Sequence, residues 1–174
     1  MISSQKEREP KVKPVTPKFS NLDFWYMSLA IDEAERAFSI GEVPVGAVMV
    51  DSENRVLAST HNLKEVNNDP CGHAEILAIR DAAKKIGSWR LNNCRIYVTL
   101  EPCLMCMGAL IQSRIGSLVF GAYDPKGGAI SNGFNVHQNK LLNHRFSIVG
   151  GVEHYQCGKT LSNFFKQRRS FYKK

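Results

Sequence analysis

Two short segments carry the side chains best suited to chemistry: Cys71-Gly-His73-Ala-Glu75 and Glu101-Pro-Cys103-Leu-Met-Cys106. Each stands where a predicted helix begins. A Cys-x-x-Cys at a helix start lets both sulfurs turn toward one point, and the exposed backbone N–H groups there favour thiolate over thiol. A histidine from a second helix start brings the donors to three. Zinc held by three protein ligands keeps one coordination position for water. Glu75, two residues after His73, stands near enough to exchange protons with that water without ligating the metal.

Other readings of the same residues differ piece by piece. Cys103 and Cys106 alone suit a redox pair, a reading that gives His73 and Glu75 nothing to do. The sharper rival is a closed structural site with Cys71 as a fourth ligand, although one residue between Cys71 and His73 is tighter than the spacing usual in such sites. His-x-Glu followed by Pro-Cys-x-x-Cys is the signature of the zinc nucleobase deaminases. His61, His137, His144 and His154 are expected to be structural or solvent-facing, and Cys94 and Cys157 to be small buried hydrophobes.

These segments must be positioned by the elements around them. Leu22, Trp25, Tyr26, Leu29, Ala34 and Ala37 recur near a 3.6-residue period, which predicts a helix from 22 to 38 with Asn21 as its cap and Gly41 as its end. Val43 to Val50 and Arg55 to Ser59, joined by Asp51-Ser-Glu-Asn54, read as a β-hairpin. A polar loop then leads to a helix over 74–86. A strand over 95–99, a helix over 103–113, a strand over 118–121, a short strand over 146–149 and a helix over 155–171 follow. This order predicts an α/β domain with helices on both faces of a central sheet, parallel in at least one part. The Gly-rich stretch 124–135 is the longest irregular segment and a candidate functional loop.

The 174 residues suffice for one ordinary domain, expected over 20–174 behind a flexible arm over 1–19 that holds three of the seven prolines and five basic residues. Apolar residues make up 43% and charged residues 22%, a balance that excludes a disordered or fibrous chain. With 23 basic and 16 acidic residues the net charge is +7, which favours a polyanionic partner. Lys166, Arg168, Arg169, Lys173 and Lys174, interleaved with Phe171 and Tyr172, concentrate that charge at the C-terminus. No apolar run reaches the roughly 18–20 residues of a membrane helix, and the first twenty residues lack the apolar block of a secretion signal. The expected location is the cytoplasm, which with five cysteines argues against a disulfide framework.

From Trp25 to Arg169 the chain resembles the bacterial tRNA-specific adenosine deaminases, which convert the wobble adenosine of an anticodon to inosine. The likeness rests on Gly41-Glu-Val-Pro-Val-Gly-Ala-Val48, His61-Asn62, His73-Ala-Glu75-Ile, Tyr97-Val-Thr-Leu-Glu-Pro-Cys103, Met105-Cys106, Ser113-Arg-Ile-Gly116, Val119-Phe-Gly-Ala122, Asp124, Asn143-His-Arg145, Phe164-Phe165 and Arg168-Arg169. It implies a three-layer α/β/α cytidine deaminase-like fold with a mixed five-stranded sheet. It also implies a homodimer and one zinc ion per subunit on His73, Cys103 and Cys106. By the same resemblance Asn62 contacts the flipped nucleotide and Asp124 the RNA backbone or sugar beside it. Phe165, Arg168 and Arg169 then belong to the surface that meets the tRNA anticodon stem-loop. The chain departs from the pattern at Cys71-Gly72, where Thr or Ser and Ala are expected, and at Tyr123, where an arginine is frequent.

The expected reaction is hydrolytic deamination of adenine with Glu75 as proton shuttle, the base edge meeting the backbone near Leu100 and Glu101. Two alternatives stand beside it: a deaminase of free cytidine, deoxycytidylate or guanine, and a non-catalytic zinc-stabilised RNA-binding module.

Overall fold

The computed structural model describes residues 19–171. The arm expected over 1–19 lies, apart from Phe19, outside the described residues, as do Tyr172, Lys173 and Lys174. Helix α1 (Asn21–Ser39) leads into the hairpin of β1 (Gly46–Val50) and β2 (Val56–His61). A one-turn helix α2 (Lys64–Asn67) precedes α3 (Ala74–Ile86), β3 (Arg95–Leu100), α4 (Leu104–Gln112) and β4 (Ser117–Ala122). After a long segment holding only a 3-10 turn at Val136–Gln138 come β5 (Ser147–Gly150) and α5 (His154–Phe171).

The five strands form one mixed sheet in the order β2-β1-β3-β4-β5. Strand β1 pairs antiparallel with both β2 and β3, whereas β3, β4 and β5 run parallel. Both faces are covered, so the central strands are apolar on successive residues instead of alternating with polar ones. Ala47, Met49, Ile96, Val98, Leu118 and Phe120 point to the layer of α3 and α4. Val48, Val50, Tyr97 and Val119 point to the layer of α1 and α5. This is the three-layer α/β/α arrangement.

Helix α1 lies close against β1 because its inner face is made of small residues. Ala30, Ala34 and Ala37 are buried beside Tyr26 and Met27. At Gly46 a Cβ would fall 2.0 Å from the Ala30 carbonyl oxygen, so only glycine admits this approach. The burial stripe is therefore rotated from the expected one: Leu22 and Trp25 are 44% and 60% exposed.

The cap also differs from expectation. Ser20, not Asn21, precedes the helix, and its side chain accepts from the Asp23 N–H while the Asp23 carboxylate accepts from the Ser20 N–H at 2.9 Å, a complete capping box. Strand β1 begins at Gly46, not Val43, because Pro44 has no N–H to give a ladder. The polar loop after β2 contains α2, too short and too polar to show a helical period.

The ends of β2, β3 and β4 that lead onward, and the incoming end of β1, lie together at one edge of the sheet. Open α/β sheets bind ligands at the carboxyl ends of their parallel strands, and this edge holds His61-Asn62, Glu101 to Cys103 and Tyr123-Asp124. Ser20→Ala should lower the free energy of urea unfolding by about 0.5–2 kcal/mol through the lost cap. Asn21→Ala, inside the first turn, should leave it almost unchanged.

Candidate active site

His73 and Cys103 are the N-cap residues of α3 and α4, and Cys106 lies one turn into α4. The two helices begin at the same sheet edge, and their starts converge. His73 presents Nδ1 to both sulfurs, 3.7 Å from Cys103 Sγ and 3.5 Å from Cys106 Sγ. All three donor atoms lie within 4.8 Å of one another, the only such group of three or more among the described residues. Cys71 stands outside it, although only two residues from His73; its N–H donates to Asp69 Oδ1 in the turn before α3.

The donor set fits zinc in chemistry and spacing. Ligands tetrahedrally placed at zinc's usual bond lengths to imidazole nitrogen and thiolate sulfur lie about 3.6–3.8 Å apart, close to what is found here. The Cys106 thiol beside Cys103 holds the Cys103 pKa down to about 4, and Cys103 in turn pushes Cys106 up. Cys103 also raises the His73 pKa by hydrogen bonding to the ring. This negative charge at two helix N-termini is what a soft dication neutralises.

Glu75 lies in the first turn of α3 and is buried. Burial raises its pKa, and the adjacent Cys106 thiol is close enough to interact with its carboxylate. Its carboxylate is not one of the clustered donors, so it borders the three without joining them. Asn62, also buried, accepts the Ala74 N–H on Oδ1 at 2.9 Å. That bond ties the end of β2 to the start of α3 and commits the Asn62 oxygen, leaving its two amide donors for another partner.

At the same end of the sheet, where β3 and β4 finish, opens a cleft of about 790 Å3 lined by Val43, Leu100, Tyr123, Asp124, Phe165 and Arg169 among others. Phe165, Arg169 and Asp124 share this lining. Arg168 does not. Its Nη2 donates to the Gly41 carbonyl oxygen at 2.6 Å and its guanidinium lies over the Phe164 ring, which fastens α5 to the end of α1. The remaining histidines and cysteines lie outside the donor group. His61 Nδ1 pairs with Glu33 at 2.7 Å and His144 Nε2 with the Ile115 carbonyl at 2.8 Å. Cys94 and Cys157 are buried, and burial pushes Cys157 up to about 12.

Glu101 has a role that the sequence did not disclose. Only 2% exposed, its carboxylate accepts the N–H groups of Asp124 at 3.0 Å and of Ile130 and Ser131 at 2.7 Å each, together with the Ser131 hydroxyl. A Cβ on Gly128 would collide with it at 2.3 Å, and Gly128 bridges to Cys103. The loop that presents Asp124 is thus wound round a carboxylate two residues from a donor sulfur. The available signal was an acidic residue directly after the apolar strand β3, a place where a charge needs partners. Glu101→Gln should destabilise the fold by about 1–3 kcal/mol. Hydrogen exchange should show the Ile130 and Ser131 amides losing protection while those of β1 and β3 keep it.

Comparisons with known proteins agree with this architecture. The family model of the MafB19-like deaminases matches residues 21–169. A tRNA-specific adenosine deaminase of Bacillus subtilis is 46% identical over 147 residues, covering 84% of this chain and 91% of its own. One from Haemophilus influenzae is 45% identical over 150 residues, covering 86% and 87%. A solved structure from a study of A-to-I editing by tRNA:A34 deaminases at the wobble position of transfer RNA superposes with a TM-score of 0.75 at 39% identity, covering 78% of this chain and 98% of that one. Identity at this level, extending over most of both sequences and joined to the same fold, means that the chain belongs to the family of tRNA-specific adenosine deaminases.

Proposed function

We propose that this chain hydrolyses adenosine to inosine at the wobble position of a tRNA anticodon, with one zinc ion per subunit held by His73 Nδ1, Cys103 Sγ and Cys106 Sγ. The observation that carries the reading is the convergence of these three donors beside a buried carboxylate that is not one of them. Cys71 outside the group speaks against the closed structural site, and family membership supplies the substrate class. When bound, zinc would supply Lewis acidity, lowering the pKa of a water toward neutrality.

The rest is done by the chain's own groups. Glu75 takes a proton from the attacking water and delivers it to adenine N1 as oxygen bonds to C6. It next carries the second proton of that water to the departing amine, so that the C6–N bond breaks to give inosine and ammonia. Burial suits Glu75 to this exchange, because a raised pKa narrows the gap between holding and releasing a proton near neutrality. The Asn62 amide donors meet the acceptor edge of the base, and Asp124, fixed through Glu101, meets the sugar or backbone beside it. Phe165 and Arg169 meet the anticodon loop, whose unpaired bases are less costly to splay into a pocket than paired ones. Arg168 acts one step removed, holding the helix that carries them.

The protein works as a homodimer in the cytoplasm in this reading. Leu104 and Met105, exposed neighbours on α4, offer apolar surface for a second subunit. No helix among the described residues is long and apolar enough to cross a membrane.

The test offers the purified protein an anticodon stem-loop with adenosine at the first anticodon position, and separately free adenosine, cytidine, deoxycytidylate and guanine, reading inosine and ammonia. Turnover confined to the stem-loop is expected; turnover confined to a free nucleoside, nucleotide or base would overturn the assignment. Glu75→Ala should retain zinc and lose about 10²- to 10⁴-fold in rate. Cys103→Ala should lose the metal itself, measured as zinc per subunit by elemental analysis.

A further inference from the structure

Two aromatic rings line the cleft, one from the segment after β4 and one from α5, and each packs against a buried ring. Tyr123, 48% exposed, stands edge-on to Phe120 with centroids 5.0 Å apart and an interplanar angle of 85°, and its other side leans on His154 at 5.8 Å. Phe165, 43% exposed, stands edge-on to Phe164 at 5.5 Å and 79°. Phe120 and Phe164 are 1% and 5% exposed, so the two cleft rings are anchored by core side chains instead of standing free on loops.

Around them stand Lys126, Lys166 and Arg169, three cations on the rim of the same cleft. Anchored aromatic faces ringed by positive charge suit an unpaired nucleotide, whose base has a π-face and whose phosphate is an anion. An apolar peptide would leave the cations without partners, and the chain's net charge of +7 favours the polyanion. Tyr123 is joined to the reacting site by its neighbour Asp124, whose N–H is fixed on Glu101.

We infer that Tyr123 is a substrate-binding residue that stacks the base of a nucleotide flanking the adenosine to be deaminated, with Phe165 adding a second ring from α5. This rests on the proposed function and adds a second base to the site. Stacking of this kind tolerates any base but requires one, so the loss of the base must have the same effect as the loss of the ring. A tyrosine here sets the contact by surface rather than by hydrogen-bond pattern.

The experiment measures kcat and KM for wild-type protein, Tyr123→Ala and Tyr123→Phe on an adenosine-containing anticodon stem-loop. The same is done on two further stem-loops, each abasic at one of the nucleotides flanking the adenosine. Tyr123→Ala should raise KM roughly 5- to 150-fold, the range of one lost stacked base, with kcat within about threefold of wild type. Tyr123→Phe, which keeps the ring and its packing on Phe120, should restore KM to within about twofold. On one of the two abasic substrates wild type and Tyr123→Ala should become equal. A Tyr123→Ala protein with wild-type KM, or one whose penalty is the same on both abasic substrates, overturns the inference while leaving the proposed function intact. Wild-type protein that deaminates no stem-loop overturns both.

Discussion

The structure turns on the meeting of two helix N-termini. Helices α3 and α4 both start at one edge of the sheet, so the positive ends of their dipoles and their unsatisfied N–H groups face a common point. Such a point attracts negative charge, and Cys103 and Cys106 bring it as sulfur. With α3 packed on β1 and β2 and α4 following β3 directly, the distance between the helix starts is set by the sheet spacing and not by any loop. The donor spacing is therefore a property of the fold, in keeping with a site built on rigid elements.

From that point the constraints spread outward through backbone bonds. Asn62 fastens β2 to the first turn of α3, which carries Glu75, and Glu101 fastens the end of β3 to the loop carrying Asp124. Gly128 closes the circuit by pairing with Cys103, at a position where the Glu101 carboxylate leaves no room for a Cβ. A displacement of the loop must move either a buried carboxylate with four donors or a donor residue, and both resist. The loop that carries Asp124 is thus held to the donor group by bonds invisible in either motif alone.

What was legible in the sequence was local. Helix α3 runs over 74–86 as its periodicity indicated, and the hairpin and the two strand–helix–strand steps gave the mixed sheet. The donor group could be read because His73, Cys103 and Cys106 sit at helix starts, where spacing of two or three residues has a defined geometry. The cap at Ser20 was missed because Ser20 and Asn21 are both good capping residues, and only Asp23 three residues after Ser20 distinguishes them. The Glu101 contacts were missed because they join residues more than twenty positions apart, and Trp25 was misplaced because alternative helix faces differ by small rotations that packing on Gly46 decides. Short motifs encode angles; long-range partners are selected by what the sheet brings near.

The tail of α5 shows the same division at the scale of one helix. Arg168 and Arg169 are neighbours in sequence, and a paired reading gave them one job. An α-helix turns about 100° per residue, so adjacent side chains face different ways while residues four apart share a face. Phe164 and Arg168 form one such pair, with Phe164 buried and the guanidinium over its ring and on the Gly41 carbonyl. Phe165 and Arg169 form the next, and both line the cleft. The first pair fixes the rotation of α5 about its axis, and that rotation aims the second. Without Phe164 and Arg168 holding the inner face, nothing in the sequence of α5 would determine which of its basic residues lines the cleft.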